Sequence, residues 1–184
     1  MKTVLLIALI AISACYDRSK AKAYADQHWD SPNHKCGSNY LNCSPYAYFG
    51  SEACGYSSHG GDCANFVSQC LIAGGHSKLT SGECRGYPCG KEEPGATRLA
   101  HCLAKNYGWK RTCGKNQKPP SNIAVGDVVV YHASGCDDYT AHATIVTSVS
   151  GSDVKVTCHS SKKHNAAYTY ITGSKPYIEW LHKA

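Results

Sequence analysis

Twelve cysteines occur in this chain of 184 residues, and this density limits its fold more than any other feature. Disulfide bonds form and persist outside the reducing cytosol, so the cysteines indicate an oxidising compartment and a cross-linked fold. The two cysteines closest in sequence, Cys84 and Cys89, are too far apart for the Cys-x2-Cys half of a zinc site. We therefore expect disulfides and no structural metal.

The N-terminus has the pattern of a signal peptide. Met1-Lys2-Thr3 is followed by an uninterrupted apolar run over residues 4–12 and then by Ser13, Ala14 and Cys15. This run is too short to span a hydrocarbon layer of about 30 Å. We expect residues 1–15 to be the signal peptide, with cleavage near Ala14 or Cys15. The mature protein is then secreted or lumenal, which means extracellular, phagosomal or in a secretory vesicle.

The rest of the chain has the size of one domain, spanning residues 16–184. Lys and Arg exceed Asp and Glu by six, nineteen against thirteen, and this excess favours anionic partners. The basic residues are scattered and lack the aromatic interleaving of nucleic-acid-binding proteins. No second apolar segment is long enough to span a membrane. We expect a monomer that binds no nucleic acid and does not insert stably into a membrane.

Three segments have helical patterns. The first is rich in alanine, without Gly or Pro, and the second is mostly apolar, with Asp62 as a predicted N-cap. The third is amphipathic and stops at Gly108, as the second stops at Gly74. The intervening segments are rich in Gly and Cys, which is typical of loops. The predicted helices cover residues 17–29, 62–73 and 97–107, and the loops cover residues 30–61 and 76–95.

From Val125 onward the pattern changes to short runs of β-branched and aromatic residues separated by turns. Helices followed by strands are typical of an α+β fold with an antiparallel sheet. The predicted strands are Asp127–Tyr131, Ala143–Val149, Val154–Cys158 and Tyr168–Thr172.

Cys63 lies in the first turn of the second predicted helix. The unpaired backbone N–H groups and the positive end of the helix dipole stabilise a thiolate there. Cys70 follows two turns later on roughly the same face, where we expect buried packing or a disulfide. Cys63 is therefore the candidate nucleophile.

The sequence around this cysteine is Gly60-Gly61-Asp62-Cys63-Ala64-Asn65-Phe66-Val67-Ser68-Gln69-Cys70. It resembles the signature of the putative amidase domain family, a papain-like branch that also holds the NlpC-type and CHAP cell-wall hydrolases. Residues 16–25 resemble that family's opening helix, residues 125–131 its first strand and residues 142–147 its histidine strand. The resemblance implies a papain-like α+β domain with N-terminal helices packed on a C-terminal antiparallel sheet. Cysteine-rich insertions at residues 36–54 and 81–113 depart from the family pattern.

The resemblance also implies catalytic partners for Cys63. A base is expected at the start of a strand facing the helix, and His142 has that position. A third polar group is expected on the next strand, where His159 falls. His164 and Asn165 lie just beyond it and remain alternatives for the third role.

Two further residues are candidates for supporting roles. Asp62 either assists the nucleophile through its carboxylate or is a plain N-cap. Tyr48 lies shortly before the nucleophile, where NlpC-type relatives carry a tyrosine that faces the substrate.

The function that the resemblance implies is hydrolysis of a peptide-type amide in bacterial peptidoglycan, an antibacterial type of activity. The implied Cys–His mechanism needs no metal and no organic cofactor. Two other interpretations stay open. The same residues suit a secreted protease or acyltransferase acting on proteins, since neither residue specifies the acceptor. Alternatively, the chain is a cysteine-rich binding or defence protein that keeps the fold without turnover.

The number of cysteines predicts the number of disulfides once Cys63 is taken as a thiol. Cleavage after Cys15 leaves ten other cysteines, which form five disulfides. Cleavage before Cys15 leaves eleven, so one more thiol is required, and Cys70 is the candidate. Both cases predict five disulfides.

Overall fold

The structure is a computed structural model that describes residues 16–30, 34–35, 47–48, 63–76, 79 and 95–184. These residues form helices and an antiparallel sheet. The helices are α1 (Arg18–His28), α2 (Cys63–Ala73) and α3 (Ala96–Tyr107), with a 3₁₀ helix at Tyr168–Ile171. The strands are β1 (His34–Lys35), β2 (Ala47–Tyr48), β3 (Lys110–Lys115), β4 (Val128–His132), β5 (Ala141–Ser150), β6 (Asp153–Cys158), β7 (Lys163–Ala167) and β8 (Tyr177–His182).

The three predicted helices are confirmed. α1 begins after Asp17, whose side chain accepts a hydrogen bond from the backbone N–H of Lys20 at 3.0 Å. α3 ends at Gly108, which has a left-handed φ of 68° that other residues rarely adopt. Leu99 and Leu103, on the apolar face of this amphipathic helix, are fully buried.

The main sheet has the strand order β3-β8-β4-β5-β6-β7, and every neighbouring pair is antiparallel. The predicted α+β class with an antiparallel sheet is therefore confirmed. Three of the predicted strands correspond to β4, β5 and β6. The strands β1 and β2 form a separate two-residue parallel pair.

The prediction of a strand at Tyr168–Thr172 is wrong, because Tyr168–Ile171 forms a 3₁₀ helix. Its aromatic and β-branched residues resemble a strand in composition, but they cover an apolar face of the sheet. The Tyr168 ring lies 5.2 Å from the Trp180 ring in a T-shaped contact.

Three strands of the main sheet, β3, β7 and β8, were not predicted, and β1 and β2 lie within the predicted loop 30–61. β3 and β7 are the two edges of the sheet and are largely exposed. An edge strand pairs on one side only and can remain polar, so these two strands carry little hydrophobic pattern.

The sheet separates two buried clusters, because successive side chains of a strand point to opposite faces. On the helix face, Val128 and Val130 of β4 and Ile145 of β5 pack in one cluster with residues of α1, α2 and α3. On the opposite face, Val129 and Tyr131 of β4 pack with other strand residues, and the tyrosines of the 3₁₀ helix cover them. A residue of β4 or β5 can thus be assigned to one face from its position.

A buried carboxylate, Asp127, joins α1 to the sheet. It accepts hydrogen bonds from Arg18 Nη1 at 2.6 Å, from His182 Nδ1 at 2.7 Å and from the backbone N–H of Ala124 at 2.8 Å. A buried charge is costly unless it is paired and hydrogen-bonded. These bonds therefore hold the start of α1 against the start of β4.

The disulfide Cys113–Cys136 joins β3 to the segment after β4. It lies at the end of the predicted insertion 81–113, whose described part includes α3, a component of the core. None of the helices in the described ranges is long and apolar enough to cross a membrane. The single domain 16–184 and its papain-like arrangement stay predictions.

Candidate active site

Cys63 is the first residue of α2. Its side chain is buried, with 6% exposed, and its sulfur is not in a disulfide. The first-turn backbone N–H groups lack partners within the helix, and together with the helix dipole they favour a thiolate at this position. The predicted N-cap, Asp62, lies outside the described residues.

His159 follows β6 and lies against α2. Its ring stacks on the ring of Phe66, with centroids 3.9 Å apart and an interplanar angle of 20°. Phe66 follows Cys63 by three residues, which is about one helical turn. The structure therefore brings His159 to the part of α2 that begins with Cys63.

The carbonyl of His28 at the end of α1 orients the His159 ring. His159 Nε2 lies 2.5 Å from this oxygen. A carbonyl oxygen only accepts, so Nε2 donates the hydrogen bond. In the neutral ring, Nδ1 is then the nitrogen that can take up a proton.

His142 lies on the other face of the sheet. It pairs directly with Tyr131 across β4 and β5, and the two rings are 6.5 Å apart. Tyr131 belongs to the cluster opposite the helices, whereas Cys63 shares the helix-face cluster with Ala143, the next residue of β5. The structure does not bring His142 and Cys63 to the same face.

Burial controls the chemistry of the His142 ring. It lowers the pKa of His142 to about 4, with a smaller contribution from the positive charge of Lys175. Nε2 of His142 is buried and has no hydrogen-bond partner among the residues that the structure describes. The ring is therefore neutral at pH 7, with one nitrogen as a donor and the other as an acceptor. Its predicted role as the base stays a prediction.

The alternatives for the third group, His164 and Asn165, are exposed residues of β7. The His164 ring stacks on Trp29, with centroids 5.2 Å apart, and its Nε2 lies 3.0 Å from Asp26 Oδ1. Asn165 Nδ2 lies 3.1 Å from His164 Nε2. These contacts join the β6–β7 hairpin to the end of α1, beside the His28 carbonyl that binds His159.

Two supporting predictions are not tested by these contacts. Tyr48 is the last residue of β2, and its side chain is outside the described part of the structure. Asp62 likewise stays a prediction.

Sequence reasoning missed the contributions of Phe66 and His28. Phe66 lies at helical spacing from Cys63, so the helix periodicity contains a signal for it. His28 acts through its backbone carbonyl, which no pattern of side chains reveals.

Two other thiols lie in the described part of the chain. Cys70 and Cys158 are buried and not in disulfides. Burial raises the pKa of Cys70, as expected for an inert packing residue. Cys158 Sγ contacts the hydroxyl groups of Ser161 at 3.1 Å and Tyr170 at 3.2 Å.

The reduced state of Cys63, Cys70 and Cys158 limits the number of disulfides that the chain can form. With Cys63, Cys70 and Cys158 reduced, nine of the twelve cysteines remain, and nine can form at most four disulfides. The prediction of five is therefore wrong. It failed because Cys158, at the end of a buried strand, carries no sequence signal that separates a thiol from a bridged cysteine.

The family model described as "Putative amidase domain" matches residues 15–181, which is nearly the whole chain. The chain belongs to this family. As a member of the amidase domain family it is expected to be a hydrolase acting on amides, and the matched range includes Cys63, His142 and His159. Neither the curated proteins nor the solved structures gave a match.

Proposed function

We propose that this amidase-family protein is a secreted cysteine hydrolase that cleaves amide bonds in bacterial peptidoglycan. The observation that carries the proposal is Cys63, a thiol at the first residue of α2 with an imidazole packed one turn along the same helix. A helix N-terminus is a common site for a reactive thiolate. The family match supports an amide as the substrate.

The proposed reaction uses one thiol and one imidazole. The imidazole takes the proton of Cys63, and the thiolate attacks the carbonyl carbon of the amide. Backbone N–H groups at the start of α2 stabilise the oxyanion. The imidazolium then protonates the leaving amine as the C–N bond breaks. A water molecule, deprotonated by the same imidazole, hydrolyses the thioester and restores the thiol.

Two histidines are candidates for the imidazole that transfers the proton. The contact with Phe66 supports His159, and the family resemblance supports His142. His142 can serve Cys63 only if its side chain moves to the helix face, for example by a shift of β5 by one residue, which exchanges the two faces of a strand. We propose His159 as the proton carrier in the arrangement described here.

Peptidoglycan as the substrate rests on the resemblance to cell-wall hydrolases and on charge. The excess of six basic residues favours encounter with an anionic polymer. Exposed charges are screened beyond about 8 Å near physiological ionic strength, so this attraction weakens as salt is added.

Digestion of purified sacculi tests the proposal. We expect the wild-type protein to release new amino termini, faster at low salt, without new reducing sugar ends, and mass spectrometry of the fragments identifies the bond. A Cys63→Ala variant is the matched control and should release none. Reducing ends alone would indicate a glycosidase. Inert sacculi together with cleaved protein substrates would indicate a protease, and inertness on both would indicate a binding protein.

A further inference from the structure

The last turn of α1 ends against the imidazole of His159. The final carbonyl groups of an α-helix have no partner within the helix, and they carry the negative end of its dipole. α1 ends at His28, and the carbonyl oxygen of His28 lies 2.5 Å from His159 Nε2. The imidazole of His159 therefore caps the C-terminal end of α1 with an N–H donor.

Two helix ends of opposite polarity thus act on the two groups of the proposed reaction. Cys63 is the first residue of α2, where the positive end of the helix dipole favours a thiolate. His159 caps the negative end of α1, which favours an imidazolium. In the proposed proton transfer, the proton leaves Cys63 Sγ and binds His159 Nδ1. Each of the two new charges then lies at the helix end that stabilises it.

The ionisable side chains in the last turn of α1 are compatible with a positive charge on His159. Burial and the charge of His159 both lower the pKa of His28, so the His28 ring is neutral at pH 7. Burial opposes the charge of Asp26, but hydrogen bonds from Lys22 and His164 lower the pKa of its carboxyl group. The helix end therefore carries a carboxylate and no competing imidazolium.

A contact between α1 and β7 holds the His28 carbonyl in place. His164 of β7 has its Nε2 3.0 Å from Asp26 Oδ1, and its ring stacks on Trp29, the residue after α1, at 5.2 Å and 10°. Asp26 and Trp29 lie on either side of His28 in the chain. His159 and His164 flank the turn between β6 and β7. The His28 carbonyl therefore cannot leave His159 unless the contacts of His164 also change.

We propose that Asp26 and His164 are positioning residues, which hold the end of α1 so that its last carbonyl keeps His159 in the Nε2–H tautomer. This role rests on the proposed function, because it requires His159 to take the proton of Cys63. A neutral ring has one protonated nitrogen and one acceptor. A ring with its proton on Nδ1 cannot accept a second one there, so the other tautomer is inactive.

Nitrogen-15 NMR of the histidine rings tests the tautomer directly. The signals of His159 are assigned by their absence in His159→Ala. At pH 8 we expect the Nε2–H tautomer in the wild type and a mixture of both tautomers in Asp26→Ala and in His164→Ala. Asp26→Asn keeps an acceptor oxygen and should retain the wild-type tautomer. Asp30→Ala removes the same charge from an exposed residue just beyond α1 and is the matched control.

Steady-state kinetics on an amide substrate tests the consequence for the reaction. We expect kcat to fall by roughly ten- to a hundredfold in Asp26→Ala and in His164→Ala, with KM unchanged within about twofold. The change is in kcat because the two residues act on the base and not on the substrate. Their side chains are 31% and 33% exposed, and ion pairs this exposed contribute little to stability, so both variants should fold.

Three results would overturn the proposal. They are an Nδ1–H tautomer of His159 in the wild type, wild-type kcat in both Asp26→Ala and His164→Ala, and an equal loss of kcat in Asp30→Ala. The first of these needs no variant, so it decides the matter even if the variants do not fold. A wild-type protein that hydrolyses no amide would contradict the proposed function, whereas the tautomers would still show whether α1 holds the ring.

Discussion

Among single residues, the two histidines that compete for the proton transfer differ in what surrounds them. His159 stacks on Phe66 of the helix that begins with Cys63, and a backbone carbonyl fixes its Nε2–H. His142 is enclosed by tyrosines on the opposite face. Proton transfer at Cys63 therefore depends on which face of the sheet the imidazole occupies.

Substitution of each histidine separates the candidates. We expect His159→Ala to lower kcat by on the order of a thousandfold, because proton transfer to and from the thiol is lost. His142→Ala should cause a smaller loss. His101→Ala, in a histidine that contacts Asp137, is the control. Steady-state kinetics on one amide substrate decides the question. A larger loss in His142→Ala would assign the base to His142 and require a different register of β5.

Burial of His142 also predicts how stability depends on pH. Its pKa is about 4 in the folded protein against an ordinary 6.5, so between these values the unfolded chain binds a proton that the folded protein does not. The contribution of His142 to the free energy of unfolding is fully present above pH 6.5. It is lost as the pH falls toward 4, by about 3 kcal/mol. In urea titrations at pH 7 and pH 4, we expect His142→Gln to lose correspondingly less stability than the wild type. Equal losses would contradict the burial of a neutral ring.

Among the elements, helices were predicted from sequence and edge strands were not. Residues 63–73 combine an apolar run with two stop residues, Gly74 and Gly75, so a local signal defines α2. β3 and β7 depend on pairing with distant strands and carry little local signal. The same distinction applies to the site. The position of Cys63 at the start of α2 follows from local sequence, whereas the sheet face of His142 depends on the register of β5 with β4.

The close approach of α1 and α2 predicts the effect of a small substitution. A Cβ atom at Gly74 would lie 2.6 Å from Tyr16 Cε2 and 2.8 Å from the carbonyl oxygen of Asp17. The Asp17 N–H also donates to the Gly74 carbonyl at 2.7 Å, so the backbones cannot separate without losing this bond. We expect Gly74→Ala to lower the free energy of unfolding by about 1–3 kcal/mol. Gly135→Ala, with nothing within 4 Å of the new atom, should be nearly neutral. Equal stabilities in urea titrations would contradict this packing.

For the whole molecule, the three thiols in the described residues predict its covalent state. If the signal peptide ends at Cys15, eight cysteines besides Cys63, Cys70 and Cys158 remain, enough for four disulfides. Alkylation of the denatured but unreduced mature protein should therefore add three groups by intact mass. A single added group would support five disulfides and would contradict the reduced state of Cys70 and Cys158.

The central claim is that Cys63 alone among these thiols performs amide hydrolysis. The direct measurement compares the initial rate of amine release from sacculi by the wild type and by Cys63→Ala, Cys70→Ala and Cys158→Ala, each shown to be folded by circular dichroism. We predict a loss of on the order of a thousandfold or more in Cys63→Ala and rates near that of the wild type in the other two. A Cys63→Ala protein that is folded and releases amines at the wild-type rate would contradict the claim.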